Sequence, residues 1–138
     1  MLVRFVSNAG GTADGFTASY TSTLNVPCYG TQTVVGASGT ITDGSGNSNY
    51  QDNTDCKWII NTPSGSVGIC MEFTQFHTDQ GYDFVKLYDG NAVNSNYLIR
   101  SFSGTSLPPI VTSATPQALA YFTSDESITD AGWSLNYT

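Results

Sequence analysis

Short runs of alternating apolar and polar residues, punctuated by glycine, proline, asparagine and serine, fill this chain, and no stretch sustains the 3.6-residue period of a helix. That pattern restricts the chain to an all-β fold. Val67, Ile69, Met71 and Phe73 alternate as a strand with one buried face should. Further strands are predicted over Thr31–Val35, Gly39–Thr42, Cys56–Asn61, Phe84–Tyr88, Tyr97–Phe102, Ile110–Ser113, Leu119–Ser124 and Trp133–Tyr137. Strands this short and this evenly spaced predict an antiparallel jelly-roll-type β-sandwich.

The ending of the chain is also present at its beginning. Leu2–Thr21 aligns without a gap on Leu119–Thr138, every pair 117 positions apart (119 − 2). Leu2/Leu119, Phe5/Phe122, Ser7/Ser124, Thr12/Thr129, Gly15/Gly132, Tyr20/Tyr137 and Thr21/Thr138 are identical, and Phe16 stands opposite Trp133. Repetition at domain length marks a tandem array. Residues 1–21 are therefore expected to be the last two strands of a preceding repeat, with strands over Leu2–Ser7 and Phe16–Tyr20. Residues 22–27 are expected to be a linker and residues 28–138 a complete domain. Met1 falls inside the repeated strand, so a longer parent protein is expected.

Composition narrows the function. Only 11% of the 138 residues are charged and the net charge is −7, with Arg4, Lys57, Lys86 and Arg100 the only basic side chains. Four scattered cations cannot build a phosphate-binding stripe, which excludes nucleic acid. An acidic surface suits cations or basic partners instead. No apolar run approaches the length of a membrane span, so no membrane insertion is expected. Solubility carried by hydroxyls and amides is common in secreted β-domains, and the expected location is extracellular, secreted or at a cell surface. Three cysteines, Cys28, Cys56 and Cys70, cannot all pair within one chain. Cys70 sits between Ile69 and Met71, on the side of its strand away from the core. Asn136-Tyr-Thr138 is an N-glycosylation tripeptide.

The order of residues from Cys28 onward resembles the CUB domain of extracellular proteins. It runs through Cys28-Tyr-Gly30, Gly39-Thr-Ile41, Asn49-Tyr50, Cys56-Lys-Trp58, Pro63-Ser-Gly65, Glu72-Phe73-Thr-Gln-Phe76 and Tyr82-Asp83-Phe84-Val85. It continues through Leu87-Tyr88-Asp89-Gly90, Phe102-Ser103-Gly104, Phe122-Thr-Ser-Asp125 and Gly132-Trp133 with Tyr137. The resemblance implies a Cys28–Cys56 disulfide. The family's usual second disulfide would fall near Gly81 and at Ser103, and both of its cysteines are missing here together. It also places Trp58, Phe73, Phe76, Phe84, Phe122 and Trp133 in the core.

Many CUB domains bind calcium through acids at one loop end, and the resemblance carries that set onto Asp79, Asp83 and Asp125. Tyr50 would orient them and the backbone carbonyl of Ser127 would add an oxygen. Asp79 is one methylene shorter than the family's usual Glu. Three converging carboxylates repel one another unless a cation neutralises them, and calcium takes six to eight oxygens. The implied function is a non-catalytic, calcium-binding module that contacts basic side chains of an extracellular protein, or a glycan, in series with neighbouring repeats. The alternative is a structural repeat unit of an extracellular fibre, surface layer or adhesive stalk.

Other chemistry is weaker. Asp43–Thr54 starts like an EF-hand loop but has Ser48 and Thr54 where glycine and glutamate are required, so a turn is expected. His77 is the lone imidazole and no Gly-x-Ser-x-Gly accompanies it, so it is expected to be an exposed loop residue. Glu72 and Asp83 make no convincing glycosidase pair, because nothing supplies a sugar cleft.

Overall fold

The computed structural model describes residues 4–6, 8–11, 13–17 and 28–138. Nine strands follow one another among them: β1 Gly30–Val35, β2 Gly39–Thr42, β3 Asp55–Asn61, β4 Cys70–His77, β5 Phe84–Asp89, β6 Leu98–Phe102, β7 Val111–Thr112, β8 Gln117–Thr123 and β9 Gly132–Tyr137. They form two sheets, ordered β1-β3-β8-β5-β6 and β2-β9-β4-β7. The ladders are antiparallel except β1 with β3. Those two run parallel because β2 lies between them in sequence and in the opposite sheet. The expected sandwich is present.

Period-two alternation fills the space between the sheets. Trp58 and Leu87 flank Ala120 in register, and Ile60 faces Ala118, so small residues on β8 leave room for bulky ones on its neighbours. From the other sheet come Ile41, Met71, Phe73, Phe76, Trp133 and Leu135, each at most 4% exposed. Phe73 and Phe76 cannot both face inward in a regular strand. A register shift between Phe73 and Gln75 adds the extra residue that permits it, and the two rings meet edge to face at 5.1 Å.

Three expectations are corrected. Val67 does not continue the buried alternation: β4 starts at Cys70, and Val67 is 89% exposed in the preceding loop. Phe84 is half-buried rather than core, because Val85 and Leu87 take the inward positions of β5, and Lys86 Nζ lies 5.6 Å from its ring. Residues 4–6, 16 and 17 carry no strand, and Phe5 and Phe16 are 68% and 60% exposed. A pair of strands without a partner sheet has too little to hold it. The rest of those two expected strands, and the linker 22–27, lie outside the described residues.

Cys28 and Cys56 form the expected disulfide, and Cys70 is a half-buried free thiol. The bridge closes a separation of 28 residues and anchors the chain before β1 to the buried start of β3. On loop-closure entropy alone, replacing Cys28 and Cys56 by Ser should cost about 3.5 kcal/mol, measured by urea denaturation.

Candidate metal centre

At one end of the sandwich the loops are tied together, and every residue of the expected calcium set lies there. The β2–β3 loop is strapped to the β8–β9 loop: the Tyr50 amide donates to Asp130 O at 3.1 Å and the Asn53 amide to Asp125 O at 2.6 Å. The β4–β5 loop is a tight turn in which the Asp83 amide donates to Asp79 O at 3.1 Å. Thr78, 2% exposed, fastens that turn to the loop after β6, accepting from the Gly104 amide at 2.9 Å.

Asp83 is the hub. It is 0% exposed, at the entrance to β5. Its Oδ2 accepts from the Tyr50 hydroxyl in a very short bond, and its Oδ1 accepts from the Asp125 amide at 2.9 Å. The Tyr50 hydroxyl in turn accepts from the Asp79 amide at 3.0 Å. One phenol thus links two of the expected acids, and one carboxylate links the phenol to the third. Tyr50 is itself buried and packs edge to face on Phe122 at 5.1 Å, which fixes its ring.

The hydrogen-bond network gathers these residues, but their carboxylates are not drawn into a cluster. Among the described residues no three His, Cys, Asp or Glu side chains stand close enough together to hold a metal. Asp79 and Asp125 are half-buried, and Asp125 Oδ1 is turned to the Ser127 amide at 2.9 Å. Ser127 is exposed beside Ile128, a β-branched residue at φ 58° on the loop tip. The ion pair among the described residues is Lys57–Asp55, and it includes none of the carboxylates of this network. A fully buried carboxylate facing only neutral donors is an uncompensated charge. The donors are all oxygen, which fits a hard cation.

Two hydrogen-bonding roles were not read from the sequence. Ser103 Oγ accepts from the Gly81 amide at 2.7 Å and donates to Asp79 O at 3.0 Å. Hydrogen bonds thus join the two positions where the missing second disulfide would lie. Asp43 is buried, with Oδ1 accepting from the Ser45 amide at 2.7 Å and Oδ2 from the Trp133 amide. Its local Asp-Gly-Ser-Gly signature reads only as a turn, and the partner at Trp133 is far away in sequence. His77 is exposed at the end of β4, and Glu72 is exposed on a strand face, apart from the buried Asp83.

Burial, followed by the Asp83 hydrogen bond, pushes the Tyr50 hydroxyl well above the ordinary tyrosine range. Burial raises Tyr88 and Tyr121 as well. A raised folded-state value stabilises below the unfolded tyrosine value of about 10 and is lost as pH climbs past it. Thermal melts should therefore fall steadily from about pH 10 upward, and Tyr50→Phe should show a shallower fall.

Two packed β-sheets of five and four strands, with acidic side chains on the loops at one end, define an antiparallel-rich β-sandwich. The CUB domain family model matches residues 28–137, and the chain belongs to that family. The zinc metalloproteinase nas-39 of Caenorhabditis elegans is 29% identical over 99% of this chain, which spans 15% of that protein. Embryonic protein UVS.2 of Xenopus laevis is 33% identical over 64% of this chain, which spans 18% of it. The structure of the MASP-1 CUB2 domain bound to Ca2+ superposes with a TM-score of 0.65 at 24% identity, over 80% of this chain and 98% of that one. That likeness establishes the fold. The chain thus covers under a fifth of the length of these two relatives. CUB domains are generally non-catalytic interaction modules of extracellular proteins.

Proposed function

We propose that this domain is a non-catalytic, calcium-dependent interaction module of an extracellular protein. The carboxylates of Asp79, Asp83 and Asp125 and the backbone carbonyl of Ser127 would hold the ion, with Tyr50 orienting Asp79 and Asp83. The observation that carries the reading is Asp83: a fully buried carboxylate, wired to Tyr50 and Asp125, with no cationic side chain to meet it. Asp79 and Asp125 are half-buried beside it, so rotation of their side chains brings further oxygens to the ion. The likeness to the MASP-1 CUB2 domain bound to Ca2+ supports the same reading. The ordered acids would then present negative charge to a Lys or Arg of a protein partner. Strained Ile128 stands exposed at the rim as an apolar contact.

Extracellular calcium sites bind at about 10⁻⁴–10⁻³ M, so 10 mM calcium should stabilise by about 1–3 kcal/mol. The melting temperature should therefore drop by roughly 5–10 °C on adding excess chelator. An unchanged melt would sink the reading, as would an Asp125→Ala variant that still responds to calcium. A second reading, a serial structural unit of a fibre, surface layer or stalk, is favoured by the duplicated ending. Electron microscopy of the parent protein separates the two. Asn136 is proposed as a glycan acceptor; its side chain lies half-buried on β9, accepting from Thr40 Oγ1 at 2.7 Å.

A further inference from the structure

The end of the sandwich opposite the candidate metal centre carries a cleft of about 390 Å³ between the β5–β6 loop and the β7–β8 turn. Asp89, Asn91, Asn94, Tyr97, Thr115 and Gln117 line it. β5 separates the two ends: Asp83 stands just before its first residue and Asp89 is its last, about 20 Å away along an extended strand. Clefts that take small ligands run from about 300 to 1,000 Å³, so this one has room for a compact ligand. Both walls are held by their own hydrogen bonds. Asp89 Oδ2 accepts from the Ala114 amide at 3.2 Å, and its Oδ1 accepts from the Thr115 amide and hydroxyl at 3.1 and 2.7 Å. That carboxylate ties the β7–β8 turn to the end of β5. In the β5–β6 loop the Tyr97 amide donates to Asn94 O at 2.9 Å, and Asn94 Oδ1 caps the single 3-10 turn Ser95–Tyr97 by accepting from the Asn96 amide at 3.0 Å. A wall that is already ordered spares a ligand the cost of ordering it.

We propose that this cleft is a second binding site, for a neutral sugar ring at the end of a glycan. Tyr97 supplies the apolar contact. Its ring is 58% exposed on the cleft wall, open to the C–H face of a pyranose, while its hydroxyl stays in water. The polar contacts come from planar amides. Gln117 Nε2 donates to Asn61 Oδ1 at 2.8 Å, which fixes its side chain and leaves Oε1 to accept. The Asn91 side chain and Asn94 Nδ2 make no hydrogen bond to a described residue. Donors and acceptors thus stand side by side, as sugar hydroxyls, which do both, require.

Charge decides among the ligand classes. Among the described residues no Lys, Arg or His lines the cleft, and Asp89 is its one charged group. A phosphate, sulfate or sialic acid terminus would bring a second negative charge to that carboxylate with no cation to offset it. A hard cation takes six to eight oxygens, and Asp89 offers a single carboxylate already holding three donors. A wholly apolar ligand would strip water from the Asn91, Asn94 and Gln117 amides and give them no partner. A neutral polyol meets all three conditions. The site shares no residue with Tyr50, Asp79, Asp83, Asp125 and Ser127, so it goes beyond the calcium-dependent reading and does not rest on it.

The test is an NMR titration of the full isotope-labelled chain with the methyl glycosides of mannose, galactose, glucose and N-acetylglucosamine, and with N-acetylneuraminic acid as the charged comparator. At least one neutral glycoside should shift the amides of Gly90, Asn91, Asn94, Tyr97 and Gln117 and saturate with a Kd on the order of 1–10 mM, as a ligand of that size allows. N-acetylneuraminic acid should leave those amides unmoved. Tyr97→Ala should weaken binding about 10-fold and Tyr97→Phe by less than about 2-fold, because the ring and not its hydroxyl makes the contact. Asn91→Ala should weaken it about 5-fold. Both residues are exposed, so all three variants should melt within about 2 °C of the wild type. No shift at the cleft with any of the four glycosides at about 50 mM overturns the proposal. So does saturable binding whose shifts lie elsewhere, a preference for N-acetylneuraminic acid, or wild-type affinity in Tyr97→Ala. Excess chelator should leave the sugar affinity unchanged, and its loss would overturn the proposal too. A chain that binds sugar at the cleft but shows no calcium response removes the metal reading alone.

Discussion

Asp83→Ala is expected to destabilise the domain by about 2–5 kcal/mol and to remove the response of its melting temperature to calcium. The substitution leaves the Tyr50 hydroxyl and the Asp125 amide without their acceptor, and Tyr50 is only 4% exposed. An orphaned buried donor costs about 1–3 kcal/mol, and two are created. Loss of a buried charge offsets part of that. Asp83→Asn separates the two roles: an amide oxygen still accepts one hydrogen bond, so its cost should be smaller, while the calcium response should vanish as completely. Urea denaturation with and without calcium measures both. A wild-type calcium response in either variant would remove Asp83 from the site.

Gly132→Ala should cost about 4 kcal/mol although it adds a single methyl group. The residue sits at φ 76°, where a side chain costs about 1–2 kcal/mol. The new Cβ would fall 1.7 Å from Asp43 Oδ2, so the carboxylate must leave. Asp43 then releases the Trp133 and Ser45 amides, hydrogen bonds to a charged acceptor worth about 1.5–3 kcal/mol each. A double-mutant cycle with Asp43→Ala tests the cause. If the two side chains collide, the combined loss is clearly less than the sum of the separate ones. Additive losses would assign the effect to backbone strain alone.

The strand set was legible because buried faces impose a two-residue period that survives without any knowledge of partners. Cys56, Trp58 and Ile60 alternate in the chain and are buried in the sandwich for the same reason. Where the period breaks, the reading broke with it. Val67 looks like the next member of a strand that begins later, and Phe76, inward because of the register shift after Phe73, was placed in the core by the family order and not by the period. The residues proposed for calcium came from the family pattern, and Tyr50, Asp79, Asp83, Asp125 and Ser127 fall in one loop cluster. The wiring among them was not legible. Nothing local in Asn49-Tyr50 states that its hydroxyl will join Asp79 to Asp83, residues about thirty positions downstream.

Sequence by itself determined the all-β class, the Cys28–Cys56 pairing once the family order was seen, and the duplication of the ending. Each depends on spacing along the chain, which folding does not alter. Tertiary structure decided which carboxylates do what. Asp43 and Asp83 look alike in sequence, each beside a turn, yet one closes a hydrogen-bonded clamp on β9 and the other is the buried hub of the acidic end. It also decided that Phe5 and Phe16 lie open while their counterparts are sealed. Burial and hydrogen-bond partnership are properties of surroundings assembled from distant segments, and the same residues acquire opposite roles when those surroundings differ.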